Sequence, residues 1–456
     1  MSDASTLLDR ALRRLTSAWR DMAASVSGEA DEALQDQMRA CLLARGGEVS
    51  ARNRAARLAE TWSGLGEAER LDFLRTLAAF DSDPEAVEAA YAAVRDAGDP
   101  AERATATAAL RRALEPPRVR LLTQFASIPD GCKFLVDLRA FLMRVRGEDK
   151  TLAALESDLR GLLAAWFDIG FLEMHRIDWH SPAALLEKLI DYEAVHAIRS
   201  WRDMKNRLDS DRRCYAFFHP RMPGEPLIFV EVALVQGLAG SIQDLLDEDA
   251  PVLDPRKADT AIFYSISNCQ QGLAGISFGN FLIKRVVEEL SGDFRGLRTF
   301  ATLSPIPGFR RWLDKALTPA LFSQEEIDTL AAVQPADDGA LSLAAILATP
   351  DWWEDPALRK AAEPVLARLC ARYLLVEARG KRAIDPVAHF HLSNGARVER
   401  VTVGADTSPK GAAESGTLMV NYLYDPARIE EWHEDYAGEG KRNASTAVRK
   451  LARGWS

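Results

Sequence analysis

The chain has 456 residues, of which 47% are hydrophobic and 27% are charged, proportions that allow a sizeable folded core. The net charge of −10 excludes broad nucleic-acid binding, because such binding needs a basic footprint. The sequence contains no stretch of about 18 uninterrupted apolar residues, so we expect no membrane-spanning segment. Five scattered cysteines without a CxxC pair, and an N-terminus without an apolar signal-peptide core, lead us to expect a cytoplasmic protein.

The first part of the chain, residues 1–189, has the pattern of a helical bundle. Apolar residues recur at helical spacing in three runs there. The runs are Leu8, Leu12, Leu15, Trp19 and Met22; Phe134, Leu138, Phe141, Leu142 and Val145; and Leu152, Leu155, Leu159, Leu162 and Trp166. No strand pattern and no fixed-period repeat is visible in this part, so we expect an all-α N-terminal domain.

A mixed α/β domain is predicted for residues 190–456. Short runs rich in β-forming residues predict strands at 227–234, 261–267, 298–304 and 418–424. A helical pattern follows the second of these runs, at about 276–290. Two further strand-like pieces lie within His389–Val403, on either side of the hairpin signal Asn394-Gly395. Because helices and hairpins both connect the strands, the predicted fold class is a helical bundle followed by an α/β (α+β) domain.

The pentapeptide GISFG, at 275–279, matches the G-x-S-x-G pattern of a serine-hydrolase nucleophile elbow. With Asp385 and His391 further on, Ser277 even follows the chain order of that fold's triad. However, the elbow serine stands directly between strand and helix, whereas Ser277 comes ten residues after the predicted strand end at Ser267. A serine hydrolase is therefore a minor alternative.

The same glycine-rich segment favours an anion cradle. It leaves a predicted strand and enters a predicted helix, whose free N–H groups can face an anion while glycine permits close approach. The spacing matches neither a P-loop nor a dinucleotide fingerprint. It is similar to the loop that holds the pyrophosphate of coenzyme A in acetyltransferase-like folds. A tight turn without a ligand is the alternative that stays open.

Two more places carry candidate chemistry. In a strand, His389 and His391 would share one face and could ligate zinc, although no third ligand is evident nearby. One buried and one exposed histidine, or a catalytic acid or base, are the alternatives. Ser304 ends a predicted strand immediately before Pro305 and Pro307, and strand ends in α/β domains open onto crevices. A simple turn serine explains the same pattern.

Several longer stretches resemble one known family, malonyl-CoA decarboxylase. They are CKFLVDLRAFL, RRCYAFFHPRMPGEPL, FYSISNCQQGLAGISFGNFLIKRVVEEL, LSPIPGF, DPVAHFHLSNGA and GTLMVNYLYD, within about residues 110–430. The resemblance implies a helical oligomerisation domain followed by a catalytic domain with the acetyltransferase-type (GNAT) fold. It implies conversion of malonyl-CoA to acetyl-CoA and CO2, with no metal and no organic cofactor.

The resemblance also implies site residues. Ser304 and His391 match the family's catalytic pair, and Tyr424 matches a tyrosine associated with that site. The implied substrate-binding residues are Asn268, Gln271, Ala274, Gly275, Ile276, Ser277, Phe278, Gly279 and Asn280. Animal members carry an acidic residue where this chain has Ser277, so the role of that carboxylate does not carry over.

The expected chemistry assigns two roles. Ser304 hydrogen-bonds the malonyl carboxylate and aligns the bond to be broken, and His391 protonates the α-carbon of the enolate. Preorganised N–H donors would stabilise the enolate oxygen. Candidates for binding the 3′-phosphate of coenzyme A are Lys284, Arg285, Arg382 and Lys410.

The expected partners are malonyl-CoA, acetyl-CoA and further copies of the chain, as a dimer or tetramer through the helical domain. Neither nucleic acid nor membrane is expected as a partner. Three alternatives remain at this point: a GNAT-type acyltransferase that uses the same cradle, a hydrolase centred on Ser277, and a non-catalytic acyl-CoA-binding scaffold.

Overall fold

The computed structural model describes residues 34–43, 47–276 and 281–453. They form two compact units, which are described separately. The first comprises the residues up to Asp168 together with the segment from Gln270, and the second comprises Ile169–Cys269 and the described residues after 280. No helix within the described residues is long and apolar enough to cross a membrane.

The first unit is helical, as predicted. Its helices are α1 (Leu34–Leu42), α2 (Gly47–Gly64), α3 (Glu67–Ala78), α4 (Pro84–Asp96), α5 (Pro100–Leu114), α6 (Pro117–Ala126), α7 (Gly131–Val145) and α8 (Lys150–Trp166). Aspartate side chains cap α4, α5 and α8 by accepting hydrogen bonds from first-turn N–H groups. The predicted runs around Phe134 and Leu152 lie in α7 and α8, whereas the run from Leu8 lies outside the described residues.

The second unit contains the strands and the remaining helices. The strands are β1 (Glu173–Ile177), β2 (Arg212–Phe218), β3 (Ile228–Val235), β4 (Thr260–Asn268), β5 (Thr299–Thr302), β6 (Ser304–Pro305), β7 (Ala378–Arg379), β8 (Arg382–Ala383), β9 (Arg397–Thr402) and β10 (Met419–Tyr424). The helices are α9 (Ala183–Tyr192), α10 (Trp201–Asn206), α11 (Ile242–Leu246), α12 (Phe281–Asp293), α13 (Phe309–Ala316), α14 (Gln324–Val333), α15 (Gly339–Ala348), α16 (Pro356–Leu375), α17 (Pro386–Ser393), α18 (Pro409–Ser415), α19 (Ile429–Glu434) and α20 (Thr446–Leu451).

Eight strands form one mixed sheet in the order β1-β2-β3-β4-β5-β10-β6, with β9 also paired to β10. Only the β4–β5 pair is parallel among the pairings of the described strands, and α12 makes the crossover between them. β2, β3 and β4 are almost entirely buried. This burial accounts for the largely apolar runs of β3 and β4, whereas β2 begins with Arg212 and Arg213 and was not predicted. This sheet confirms the predicted α/β class of the C-terminal domain.

The four predicted strands at 227–234, 261–267, 298–304 and 418–424 correspond to β3, β4, β5 with β6, and β10. The third is divided, because Leu303 separates β5 from β6. This division places Ser304 in its own short strand, which matters for the site described below.

The predicted strand through His389 and His391 is wrong, since both residues lie in α17. The Asp385 carboxylate caps this helix by accepting from the N–H groups of Val387 and Ala388, and Pro386 occupies its first position. The predicted Asn394-Gly395 hairpin is also wrong. Gly395 has a positive φ of 77° and follows the C-terminal end of the helix, a common place for glycine.

The change of unit between Asp168 and Ile169 comes before the expected domain boundary at residue 189. The strand β1 lies in this interval and pairs antiparallel with β2, so it belongs to the sheet. Polar residues fill much of β1, and Ile177 is its one buried residue. The strand therefore lacks the apolar alternation by which a strand is recognised in a sequence.

Candidate active site

Ser304 lies on β6, next to β10. The register of β10 continues from the Leu423–Ala301 pair to the Val420–Ser304 pair. Between these pairs, each hydrogen bond joins a side chain to the backbone of the other strand. The Tyr422 N–H donates to Thr302 Oγ1 at 3.1 Å, and Asn421 Nδ2 donates to the Thr302 carbonyl at 2.7 Å. The strand end that carries Ser304 is therefore held by side chains as well as by the sheet.

Three of the predicted site residues come together within the second unit. Ser304 Oγ lies 3.0 Å from His391 Nε2, and His391 Nδ1 lies 2.8 Å from the Tyr424 hydroxyl. The Ser304 hydroxyl also donates to Thr302 Oγ1 at 2.8 Å. These four side chains, Thr302, Ser304, His391 and Tyr424, are called the Ser–His cluster below.

The Ser–His cluster is closed off from solvent. His391 is 3% exposed, and its ring stacks on that of Tyr422 with the centroids 4.5 Å apart. Burial disfavours the charged imidazolium and lowers the pKa of His391 to about 3. Burial raises the pKa of Tyr424 well above its ordinary value, so both side chains are neutral at pH 7 in the ligand-free protein.

The Asp385 carboxylate connects the helix of His391 to the segment after Ser304. Besides capping α17, it accepts from the Gly308 N–H at 3.3 Å and from the Tyr373 hydroxyl at 3.3 Å. It is fully buried, and desolvation raises its pKa. Because His391 Nδ1 bonds to Tyr424, Asp385 does not orient the imidazole, and the hydrolase triad order is not realised in space.

The proposed zinc pair is also excluded by geometry. On α17 the residues His389 and His391 are about 200° apart around the helix axis, at 100° per residue. His389 Nδ1 lies 2.8 Å from the Tyr436 hydroxyl, while both ring nitrogens of His391 have partners in the Ser–His cluster. Within the described residues, no group of three or more His, Cys, Asp or Glu side chains could hold a metal ion.

The glycine-rich segment belongs to the helical unit. Gln271–Leu273 form a 3₁₀ turn, and Gly275 has a positive φ of 74°. Ala274 and Gly275 are exposed and Ile276 is buried, whereas Asn268 ends β4 in the second unit. Four of the implied substrate-binding residues lie outside the described residues: Ser277, Phe278, Gly279 and Asn280.

Two arginines of the helical unit hold this segment, which is called the 270–276 segment below. Arg139 Nη1 donates to the Gly272 carbonyl at 2.6 Å while the same guanidinium pairs with Glu156 at 2.7 Å. Arg160 Nη2 donates to the Gly275 carbonyl at 3.2 Å. A Cβ on Gly272 would lie 1.7 Å from the Val136 carbonyl oxygen, so this glycine permits close packing onto α7.

The four basic residues suggested for the 3′-phosphate are scattered within the second unit. Lys284 pairs with Glu430 at 2.8 Å, and Arg285 donates to the Leu172 carbonyl at 2.8 Å. Lys410 donates to the carbonyls of Ala194 and Val195, and Arg382 is exposed on β8. The positions and contacts of these four residues do not single out any of them as the ligand of the 3′-phosphate.

Sequence reasoning missed two members of the site. Thr302 and Tyr422 lie in the strands predicted at 298–304 and 418–424, but neither was predicted as a site residue. A signal for Thr302 was present, since residues two apart on a strand share a face, and Thr302 stands two before Ser304. The stacking of Tyr422 on His391 depends on the position of α17, which was predicted as a strand.

The described residues thus form a helical unit and a mixed-sheet unit, and the second contains a buried serine–histidine–tyrosine cluster, side chains of the kind that acid–base enzymes use. Residues 170–455 match the family model "Malonyl-CoA decarboxylase C-terminal domain", and residues 80–167 match "Malonyl-CoA decarboxylase N-terminal domain". The chain belongs to the malonyl-CoA decarboxylase family.

Named relatives and solved structures agree with this membership. The mitochondrial malonyl-CoA decarboxylase of Anser anser anser is 41% identical over 323 residues, which cover 68% of this chain and 64% of that protein. The crystal structure of malonyl-CoA decarboxylase from Agrobacterium vitis has a TM-score of 0.82 at 43% identity, covering 92% of this chain and 99% of that one. The corresponding structure from Rhodopseudomonas palustris has a TM-score of 0.81 at 42% identity, covering 91% and 99%.

Proposed function

We propose that this chain is a carboxy-lyase that converts malonyl-CoA to acetyl-CoA and CO2 at the Ser–His cluster. The observation that carries the proposal is the 3.0 Å contact between Ser304 Oγ and His391 Nε2, in a chain of this family. An acid positioned within hydrogen-bond reach of the reacting group is what protonation of a carbanion needs.

The bond changes assign a step to each side chain. The electron pair of the carbon–carboxylate bond moves into the thioester, so that CO2 leaves and an enolate forms. His391 then gives its Nε2 proton to the α-carbon while Nδ1 takes the proton of the Tyr424 hydroxyl. The imidazole stays neutral, and the buried phenolate regains its proton from water that enters when the products leave. A thioester enolate is a far stronger base than a phenolate, so this transfer is downhill.

Burial of the cluster supports the first step. Ser304 is 6% exposed and His391 3% exposed, so a carboxylate bound against them leaves most of its hydration behind. Its product, CO2, is neutral and loses nothing in an apolar site, so desolvation favours the bond cleavage. Ser304 is assigned the alignment of the carboxylate, since its hydroxyl lies beside His391 Nε2. In the ligand-free protein this hydroxyl donates to Thr302 Oγ1, and on binding of the substrate its hydrogen turns to the carboxylate while Nε2 still donates to Oγ.

The sheet offers a place for the extended arm of the substrate. The β4–β5 register ends at Phe263 and Thr302, although β4 continues to Asn268. Among the described strands, residues 265–268 of β4 pair with β3 alone, which leaves the opposite edge of this part of β4 without a strand. The pantetheine arm of coenzyme A has two amides, and an extended amide chain can add to such an edge beside Ser304.

One experiment tests the proposal against its alternatives. The full chain is incubated with malonyl-CoA, and CO2, acetyl-CoA and free thiol are measured together. CO2 with an intact thioester is the expected result. Release of free thiol without an amine acceptor would indicate a hydrolase, and release only with an added amine acceptor would indicate an acyltransferase. If malonyl-CoA stays unchanged, the chain would be a non-catalytic acyl-CoA-binding scaffold.

Four further expectations stay part of the proposal. They are acyl-CoA binding by the 270–276 segment, a requirement for neither metal nor organic cofactor, a homo-oligomer formed through the helical domain, and a cytoplasmic location. Turnover unchanged after dialysis against EDTA is expected, and the mass in solution by light scattering should equal that of a dimer or tetramer. Loss of turnover on chelation would contradict the second expectation.

A further inference from the structure

We propose that Thr302 is a positioning residue, which holds the proton of His391 on Nε2, the ring nitrogen that faces Ser304. The kinetic consequence of this proposal rests on the proposed function, whereas its structural part does not. Thr302 is fully buried at the end of β5, two residues before Ser304, so both side chains lie on one face of the sheet.

The direction of one hydrogen bond determines the tautomer of the histidine. The Ser304 hydroxyl has a single hydrogen, and it donates this hydrogen to Thr302 Oγ1 at 2.8 Å. The contact of 3.0 Å between Ser304 Oγ and His391 Nε2 therefore needs its hydrogen from the imidazole. A neutral imidazole carries one N–H, so Nδ1 is the acceptor and the Tyr424 hydroxyl donates to it at 2.8 Å.

Thr302 can impose this direction because its own oxygen is held in place. Its Oγ1 accepts the Tyr422 N–H at 3.1 Å, and its carbonyl accepts from Asn421 Nδ2 at 2.7 Å. Both bonds come from β10, the strand that also pairs with Ser304. The acceptor for the Ser304 hydrogen is thus built into the sheet and does not depend on a bound ligand.

Removal of the Thr302 hydroxyl would reverse the chain of hydrogen bonds. Without that acceptor, the Ser304 hydroxyl has His391 Nε2 as its partner within the Ser–His cluster. The imidazole proton would then move to Nδ1 and donate to the Tyr424 oxygen. In this tautomer Nε2 has no proton to deliver to the α-carbon, so the acid step would fail although every catalytic side chain is present.

The test compares the wild type with Thr302→Val, which keeps the shape but removes the hydroxyl, and Thr302→Ser, which keeps the hydroxyl. Each protein is labelled with ¹⁵N-histidine, and the His391 signals are assigned by their absence in His391→Asn. We expect a protonated Nε2 in the wild type and in Thr302→Ser, and a protonated Nδ1 in Thr302→Val. A Thr302→Val protein that keeps the proton on Nε2 overturns the proposal whatever its activity.

The kinetic part uses the same three proteins with malonyl-CoA. Thr302→Val should lower kcat by ~10²-fold with little change in KM, since a positioned acid contributes roughly 10²–10⁴-fold, and Thr302→Ser should restore most of it. If Thr302→Val does not fold, the tautomer of His391 in the wild type tests the proposal instead. A proton on Nδ1 of His391 in the wild type would refute it. A wild type that shows the Nε2 proton but releases no CO2 would refute the proposed function and leave the tautomer assignment standing.

Discussion

Residues of the Ser–His cluster and of the 270–276 segment were both predicted from the sequence to be functional, but the two regions are built in different ways. The cluster consists of side-chain hydrogen bonds between β5, β6, β10 and α17 in the sheet unit. The 270–276 segment is held through its backbone, with arginines bonded to the carbonyls of Gly272 and Gly275. A change in the first region should therefore alter chemistry, whereas a change in the second should alter stability and the loop conformation.

The strongest test of this contrast is His391→Asn. Asparagine can keep a hydrogen bond to Ser304 but cannot donate a proton to carbon at neutral pH, so kcat should fall by ~10²–10⁴-fold. The measurement is CO2 release from malonyl-CoA, with binding of acetyl-CoA by calorimetry as the control. Turnover close to that of the wild type would remove His391 from the role of proton donor.

The second test breaks the 270–276 segment at Arg139. This guanidinium is 2% exposed and bonds both Glu156 and the Gly272 carbonyl. Arg139→Met keeps the length of the side chain but leaves the partly buried Glu156 carboxylate and the buried Gly272 carbonyl without this partner, so the free energy of unfolding should fall by about 1–3 kcal/mol. Urea unfolding measures this loss. Arg139→Met with Glu156→Gln should recover part of the stability, because the double variant no longer leaves a partly buried charge without its partner.

The outcome for the two regions shows which parts of a site a sequence can predict. Ser304, His391 and Tyr424 were predicted because their motifs are distinctive, yet His391 was assigned to a strand. An alternating pattern and Asn394-Gly395 indicated a hairpin, while the Asp385 cap and Pro386 selected a helix. The capping signal was the stronger one physically, since it satisfies two backbone N–H groups directly.

The glycines of the 270–276 segment were predicted to let a ligand approach, and one of them lets the protein itself approach. Gly272 packs on the Val136 carbonyl, a contact between residues far apart in the chain. No local pattern distinguishes a glycine that faces a ligand from one that faces a helix. Thr302 is a similar case, because its role depends on β10, which pairs with it across the sheet.

The third test concerns pH. His391 has a pKa of about 3 in the folded protein, against about 6.5 when unfolded. Between these values the unfolded chain binds a proton that the folded one does not, so stability falls as pH falls from 6.5 toward 3. This histidine alone contributes a slope of about 1.4 kcal/mol per pH unit.

The matched control for this dependence of stability on pH is His391→Asn, which removes the imidazole of His391 and keeps the other titrating groups of the wild type. His196, whose burial lowers its pKa to about 4, contributes to both proteins alike. The difference in urea-unfolding free energy between wild type and variant should therefore shrink as the pH is lowered from 6.5 to 4.5. A constant difference would mean that His391 is protonated in the folded protein.

The fourth test changes a glycine. Gly272→Ala places a Cβ against the Val136 carbonyl, a backbone group that cannot rotate away, and should cost about 1–3 kcal/mol of unfolding free energy. Gly161→Ala is the matched control, since Gly161 is exposed on α8 and a Cβ there meets nothing within 4 Å. That change should stabilise the helix by about 0.5–1 kcal/mol. Equal effects of both changes would refute the packing role of Gly272.

The smallest effect is expected from Arg160, the exposed partner of the same segment. Its bond to the Gly275 carbonyl at 3.2 Å competes with water, so Arg160→Ala should cost at most about 1 kcal/mol of stability. Gly275 has a positive φ, and the arginine helps to hold the segment in that conformation. If the segment binds acyl-CoA, Arg160→Ala should raise KM for malonyl-CoA while kcat stays unchanged, because the Ser–His cluster is intact. A fall in kcat without a change in KM would instead show that the segment acts on the chemical step, and the contrast between the two regions would no longer hold.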